Sequence, residues 1–336
     1  MPADPSARIS EAWDGPSSGV ICCFGFDAGG ARALAEPRLS AEGAGEAWSW
    51  THVRLGDVRA LALLRAVRNL PAEALELFAA SESRIQIGEE AGWMFGVLPD
   101  LERDLSGQPQ GPGRLVFALD GARLLTGRLH PLLAIDDLRR AAQLGERLVT
   151  PAGAVVAHLQ FYVDRIEQVI DDLAQQLAGI EDYVLTEPQN PGETGLSALR
   201  RKLARQRREL QALRSTLARA LARGRRGERL LGLTDEFTEL IAGVEDADRE
   251  TGVLQERGRL LHEEVDTLIN SATNRSMRAL TIVSTLLIPP TLVTGAFGMN
   301  LKGIPFENSS GGFAAVVVLC AIVVGGALFV LRRLGM

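Results

Sequence analysis

Three cysteines in 336 residues are too few for a disulfide framework. Their placement also rules out a CxxC metal knuckle, because Cys22 and Cys23 are adjacent and Cys320 sits in an apolar run. A secreted, disulfide-stapled protein is excluded. Aromatic residues are scarce at 5%, and Leu, Ala and Arg dominate instead, a helix-rich composition. Lysine is nearly missing, since Lys202 and Lys302 are the only two among 36 basic residues. Excess positive charge is absent as well: the net charge is −6, which gives no electrostatic reason to expect a nucleic-acid partner. No P-loop, nucleophile elbow, HExxH or dinucleotide fingerprint occurs. An enzyme and an ATP-driven pump are therefore not expected, and no catalytic residue or cofactor is assigned. The first residues, MPADPSARISEAWDGPSSG, lack an apolar core, so no signal peptide is expected.

Long apolar runs are missing up to residue 276 and then come twice, at Ala279–Phe297 and Phe313–Leu331. Each holds 19 residues without a charge, close to the ~20 that a helix needs to cross a ~30 Å hydrocarbon layer. Arg275 and Arg278 precede the first run and Arg332 and Arg333 follow the second, whereas the link between them carries only Lys302 against Glu307. The positive-inside rule then predicts both termini in the cytoplasm and the short link outside. The expected organisation is a disordered tail (1–17), a cytoplasmic α/β domain (18–150), a long-helix stalk (151–275) and a membrane domain (276–336). In the membrane domain the spans cover 279–297 and 313–331, with an outer loop at 298–312.

In the α/β domain VICCFGF reads as a short apolar strand stopped by DAGG, and WSWTHVRL as strand material. RIQIGEEAGWMFGVL and RLVFALDGARLLTGRL read as hairpins turning at Glu-Glu-Ala-Gly and at Asp120-Gly121. Helices are predicted over Val58–Leu70, over Ala72–Ala80 and after His130-Pro131.

From Gly153 onward helical periodicity takes over, with helices predicted from Ala154 to Thr186 and from Leu196 to Gly224. Between Glu193 and Gly227 there are 11 basic residues against the acid Glu209, while Asp235–Asp266 holds 11 acids against three arginines. Opposite blocks on consecutive helices predict an antiparallel hairpin with ion pairs, two solvated faces being the alternative. Leu254, Leu261, Val265, Leu268 and Ala272 form an a/d-type seam, on a helix with no proline before Pro289. That helix is predicted to run straight into the first span and to pack against copies of itself.

The first span carries more than an anchor needs. Steps of three or four place Asn274, Met277, Thr281, Ser284, Ile288 and Thr291 on one face, and Pro289-Pro290 free the carbonyls of Thr285 and Leu286. The stripe fits the lining of a narrow wet pore, or hydroxyls bonding between helices. Two spans cannot enclose a pore alone, so the pore reading requires an oligomer.

Gly298-Met299-Asn300 follows the first span directly. With this topology and a long helix leading in, the triplet resembles the hallmark of the CorA family of divalent-cation transporters. FDAGGARAL, RLVFALDGARLLTGRLHPL and the loop GMN-LKGIP are similar to stretches of its zinc-transporting ZntB branch. Phe297 stands where the magnesium branch commonly has Tyr. The resemblance implies an α+β membrane protein: a CorA-like homopentameric funnel with five first spans lining the pore, in the bacterial inner (plasma) membrane. It implies Gly298, Met299 and Asn300 as the selectivity filter, with Asn300 amide oxygens exchanging hydrogen bonds with a cation's water shell. Thr291 falls on the family's pore hydroxyl, and Met277 and Ile288 on its apolar constrictions. The implied partners are further copies of the chain, the bilayer and a transported divalent cation: zinc, with magnesium, cobalt or nickel as the alternative. Imidazole and thiolate ligands suited to zinc are missing near the pore. His262 with Glu263 and Asp266 on the stalk is the remaining metal candidate. A membrane-anchored scaffold or sensor is the competing reading.

Overall fold

In the computed structural model, residues 19–37, 39, 47–80, 84–186, 195–224, 234–299 and 311–333 are described. The expected disordered tail, Asn300 and most of the outer loop, with Lys302 and Glu307, lie outside these residues. The chain forms two compact units, Met1–Gly179 with Gly195–Gly258, and Ile180–Thr194 with Arg259–Met336.

The first unit is built on seven strands: β1 (Val20–Asp27), β2 (Gly30–Ala33), β3 (Trp48–Arg54), β4 (Gln86–Glu90), β5 (Trp93–Arg103), β6 (Pro109–Leu119) and β7 (Arg123–Arg128). They form one sheet in the order β2-β1-β3-β7-β6-β5-β4. Neighbours are antiparallel except β3 and β7, which run parallel. Helices α1 (Val58–Ala66) and α2 (Ala72–Ala79) contribute Leu64 and Phe78 to a core with Val53, Phe95, Val97 and Val116 from one sheet face. Alternation turns Trp50, Leu98, Phe117 and Leu124 to the other face, where all are buried. Helix α3 (Leu133–Gln143) packs against β5 and β2.

Both expected hairpins form, by different means. In β4–β5 the two turn residues, Ala91 (φ 50) and Gly92 (φ 82), take the left-handed conformation that matches strand twist. In β6–β7 the Asp120 carboxylate makes the turn, accepting from the backbone N–H of Ala122 at 2.9 Å and of Arg123 at 2.7 Å. Gly96 is required by close approach, because a Cβ there would lie 2.0 Å from the Gln86 carbonyl oxygen. The run VICCFGF stops at DAGG, as expected, where β1 ends at Asp27. The chain then turns back into β2, with Asp27 paired to Gly30.

Helix α3 has no side-chain cap of its own. Asp100, on β5, supplies one from outside by accepting from the N–H of Ala134 at 2.9 Å and of Ile135 at 3.0 Å. Burial pushes the Asp100 carboxyl up to about 7, against the N–H groups of Ala134, Ile135 and Leu101 that pull it down. Beside it Asp136 meets Arg103 at 3.1 Å, Arg128 at 3.2 Å and Arg139 at 3.6 Å. Of the four histidines, His52 and His158 are core residues. Burial lowers His158 to about 4, so it is neutral at pH 7.

The long helices are α4 (Pro151–Thr186), α5 (Leu196–Gly224) and α6 (Thr234–Phe297). The opposite charge blocks on α5 and α6 meet, Arg207 with Asp248 at 3.3 Å and Arg214 with Glu245 at 2.8 Å. Helix α6 runs unbroken for 64 residues through Pro289 and Pro290.

The expected self-packing seam needs correction. Leu254, Leu261 and Val265 are already buried within the single chain, at 4%, 5% and 6% exposure. Leu268 is half-buried and Ala272 exposed. The apolar period marked a packing face, and most of that face is filled by the chain's own side chains.

Candidate functional site

In the second unit α6 carries the first candidate span, and α7 (Gly312–Arg333) the second. Both are long and apolar enough to cross a membrane, with mean hydropathies of 1.7 and 2.9. No residue from Ala279 to Leu301 ionises.

All six stripe residues lie on the one helix α6. Asn274, Met277, Thr281, Ile288 and Thr291 are exposed and Ser284 is half-buried. Ile288 and Thr291 line a groove together with Leu287, Leu292, Gly295, Ala296 and Met299. Phe297 is turned away from that groove and shares a second hollow with Ala314, Val318 and Ile322 of α7. At 3.6 residues per turn Phe297 lies roughly opposite Ile288 on the helix. The stripe face is therefore left open, and α7 flanks the reverse face.

Two of the three stripe hydroxyls are turned inward to their own helix. Thr281 donates to the Met277 carbonyl at 2.8 Å and Thr291 to the Leu287 carbonyl at 2.7 Å. Each keeps oxygen lone pairs for an outside donor such as water. Thr294 likewise donates to Pro290 at 3.0 Å. Among the described residues none of these three is bonded to another helix.

Of the triplet, Gly298 still donates its N–H to the Thr294 carbonyl at 2.9 Å, one residue beyond the helix. A Cβ at Gly298 would stand 3.2 Å from that carbonyl oxygen, so the residue closes the helix under tight clearance. Met299 is 52% exposed and lines the same groove as Thr291. Asn300 lies outside the described residues.

The stalk metal candidate does not assemble in one chain. His262 Nε2 is 3.7 Å from Asp266, one turn on, while Glu263 pairs with Arg259. Among the described residues no three His, Cys, Asp or Glu side chains converge to hold a metal. Sequence reading missed Leu287, Leu292, Gly295 and Ala296 as parts of the open groove. Their signal was present, because they lie three, four or seven residues from Ile288, Thr291 or one another.

A family model described as CorA-like Mg2+ transporter protein matches residues 45–333. The chain belongs to the CorA family. The divalent cation transporter CmaX of Pseudomonas aeruginosa is 30% identical over 290 residues, 85% of this chain and 86% of that protein. The zinc transport protein ZntB of Pectobacterium atrosepticum is 27% identical over 218 residues, 62% of this chain and 64% of that protein. The solved structure of full-length CmaX superposes with a TM-score of 0.79 at 25% identity, covering 96% of this chain and all (100%) of that one. The CorA magnesium transporter of Methanocaldococcus jannaschii has the same fold, with a TM-score of 0.72 at 18% identity over 93% of this chain and 98% of that one. Membership of this family makes the chain a divalent-cation transporter.

Proposed function

We propose that the chain carries zinc across the bacterial inner membrane, through a homopentameric pore lined by five copies of the first span. Magnesium, cobalt or nickel is the alternative cargo. One observation carries the pore reading: the stripe face with Ile288, Thr291 and Met299 is open, while Phe297 and α7 occupy the reverse face. Five such helices set around an axis present hydroxyls and apolar rings to water, and keep α7 on the lipid side. Ile288 and Met277 form apolar constrictions that gate by dewetting; Thr281 and Ser284 supply oxygens between them, and Asn274 and Thr291 supply oxygens on either side. Gly298, Met299 and Asn300 form the filter at the outer mouth. The amide oxygens of Asn300 contact the hydrated ion, which needs no imidazole or thiolate ligand there. Both termini lie in the cytoplasm, as Arg275, Arg278, Arg332 and Arg333 require. The similarity to ZntB along 64% of its length favours zinc among the cargoes.

Asn300→Ala tests the filter. The variant keeps the oligomer, because the side chain meets ion and water and not the stalk, and it loses selective divalent flux into vesicles. Unchanged flux and selectivity would remove Asn300 from the filter.

A further inference from the structure

A cavity of about 380 Å3 opens in the first unit between the β5–β6 hairpin, α4 and α5. Its size suits a small organic molecule. Leu101, Pro109, Pro112, Val169 and Leu173 give it an apolar wall. Arg201, Lys202 and Arg205, within five residues of α5, give it a cationic one.

Apart from Arg208, the cations farther along the helix are engaged by the protein. Arg207 and Arg214 pair with acids of α6, Arg219 bonds Thr216, and Arg223 donates to the Ile87 carbonyl. Arg201, Lys202 and Arg205 have no protein partner among the described residues. Two acids share the cavity wall. Glu209 is neutralised by Arg114 at 2.9 Å, which leaves Asp172 as the single opposing charge. A buried amide donor also lines the wall: Nε2 of Gln206, which lies beside the Tyr162 hydroxyl. Three unmatched cations and an amide donor against one acid are anion-binding chemistry, with a surplus of two positive charges.

We propose that this cavity binds a small molecule bearing a phosphomonoester dianion on an apolar body, as a mononucleotide does. Arg201, Lys202 and Arg205 take the phosphate, Gln206 donates to it, and the proline- and leucine-lined wall holds the body. The site is built from first-unit residues only and does not depend on the identity of the transported ion.

The test is calorimetric titration of the purified full-length protein at low salt, without divalent cations, using adenosine 5′-monophosphate. Inorganic phosphate and adenosine are titrated in parallel. The nucleotide binds once per chain and more tightly than either fragment, and added salt weakens it. Joint Arg201→Ala and Arg205→Ala weakens it by about tenfold or more. Asp172→Asn, which removes the repulsive acid, tightens it about threefold, a gain that no folding defect imitates. Absence of binding, equal affinity for adenosine, equal affinity for phosphate, or unchanged affinity in the variants would each overturn the proposal. Loss of the oligomer in the double arginine variant, without any nucleotide binding to the parent protein, would assign these cations to acids of a neighbouring copy instead.

Discussion

Asp100 and His158 form a buried pair whose titrations oppose each other, and separating them gives a sharp prediction. His158 Nδ1 lies 3.9 Å from Asp100 Oδ2, and both side chains are fully enclosed. Folding raises Asp100 from 3.8 to about 7. Its stabilising effect is complete below pH 3.8 and is lost as pH rises towards 7. Folding lowers His158 from 6.5 to about 4. Its effect is complete above pH 6.5 and is lost as pH falls towards 4. Each group alone is worth up to about 1.4 kcal/mol per pH unit, so between about pH 4 and pH 6.5 the two slopes largely cancel. Asp100→Asn removes one of them. The variant gains stability with rising pH over that window by up to about 3 kcal/mol, or about 6–12 °C in midpoint for a unit of this size. His158→Gln tilts the profile the other way. The assay is thermal unfolding followed by tryptophan fluorescence, which reports this unit because Trp48, Trp50 and Trp93 are all buried in its sheet. A profile for Asp100→Asn parallel to that of the parent protein would refute the opposed-titration reasoning.

Leu261→Ala removes a buried side chain from the chain's own packing, so it costs about 2–5 kcal/mol and lowers the unfolding midpoint even in a dissociated chain. Leu260→Glu alters a neighbour that is 52% exposed, and it changes oligomer size by light scattering with little effect on the midpoint of the single chain. Arg214→Ala breaks an ion pair whose members are 50% and 41% exposed, and it shifts stability by less than about 1 kcal/mol in denaturant melts.

Much of this architecture is legible in the sequence where local chemistry decides it. Helix α5 spans Leu196–Gly224 because a run rich in Ala, Leu and Arg has nothing to break it between Gly195 and Gly224. The β4–β5 turn is legible because Ala-Gly sits between alternating strands. The β5–β6 hairpin was not, although it pairs along ten residues, Met94 to Arg103. Its second strand opens with PQGPG, which reads as loop. Pro109 and Pro112 are tolerated because β7 pairs with β6 only from Val116 to Leu119, so the proline half has a ladder on one side alone. The Asp100 cap joins residues 34 apart, beyond the reach of any local pattern. In the stalk, periodicity located an apolar face but carried no information on whether the partner was the same chain or another copy. In the first span the stripe was legible by spacing, whereas its exposure opposite Phe297 depended on where α7 lies.

The most direct test of the central claim is ion flux into liposomes holding the purified full-length protein, read with zinc- and magnesium-sensitive dyes in parallel, with and without a pH gradient. Zinc entry in excess of magnesium entry, lost in Asn300→Ala, is the predicted result. Magnesium or cobalt entering as fast as zinc would contradict the zinc assignment and leave the pore standing. An intact oligomer that passes no divalent cation at all would contradict the pore itself.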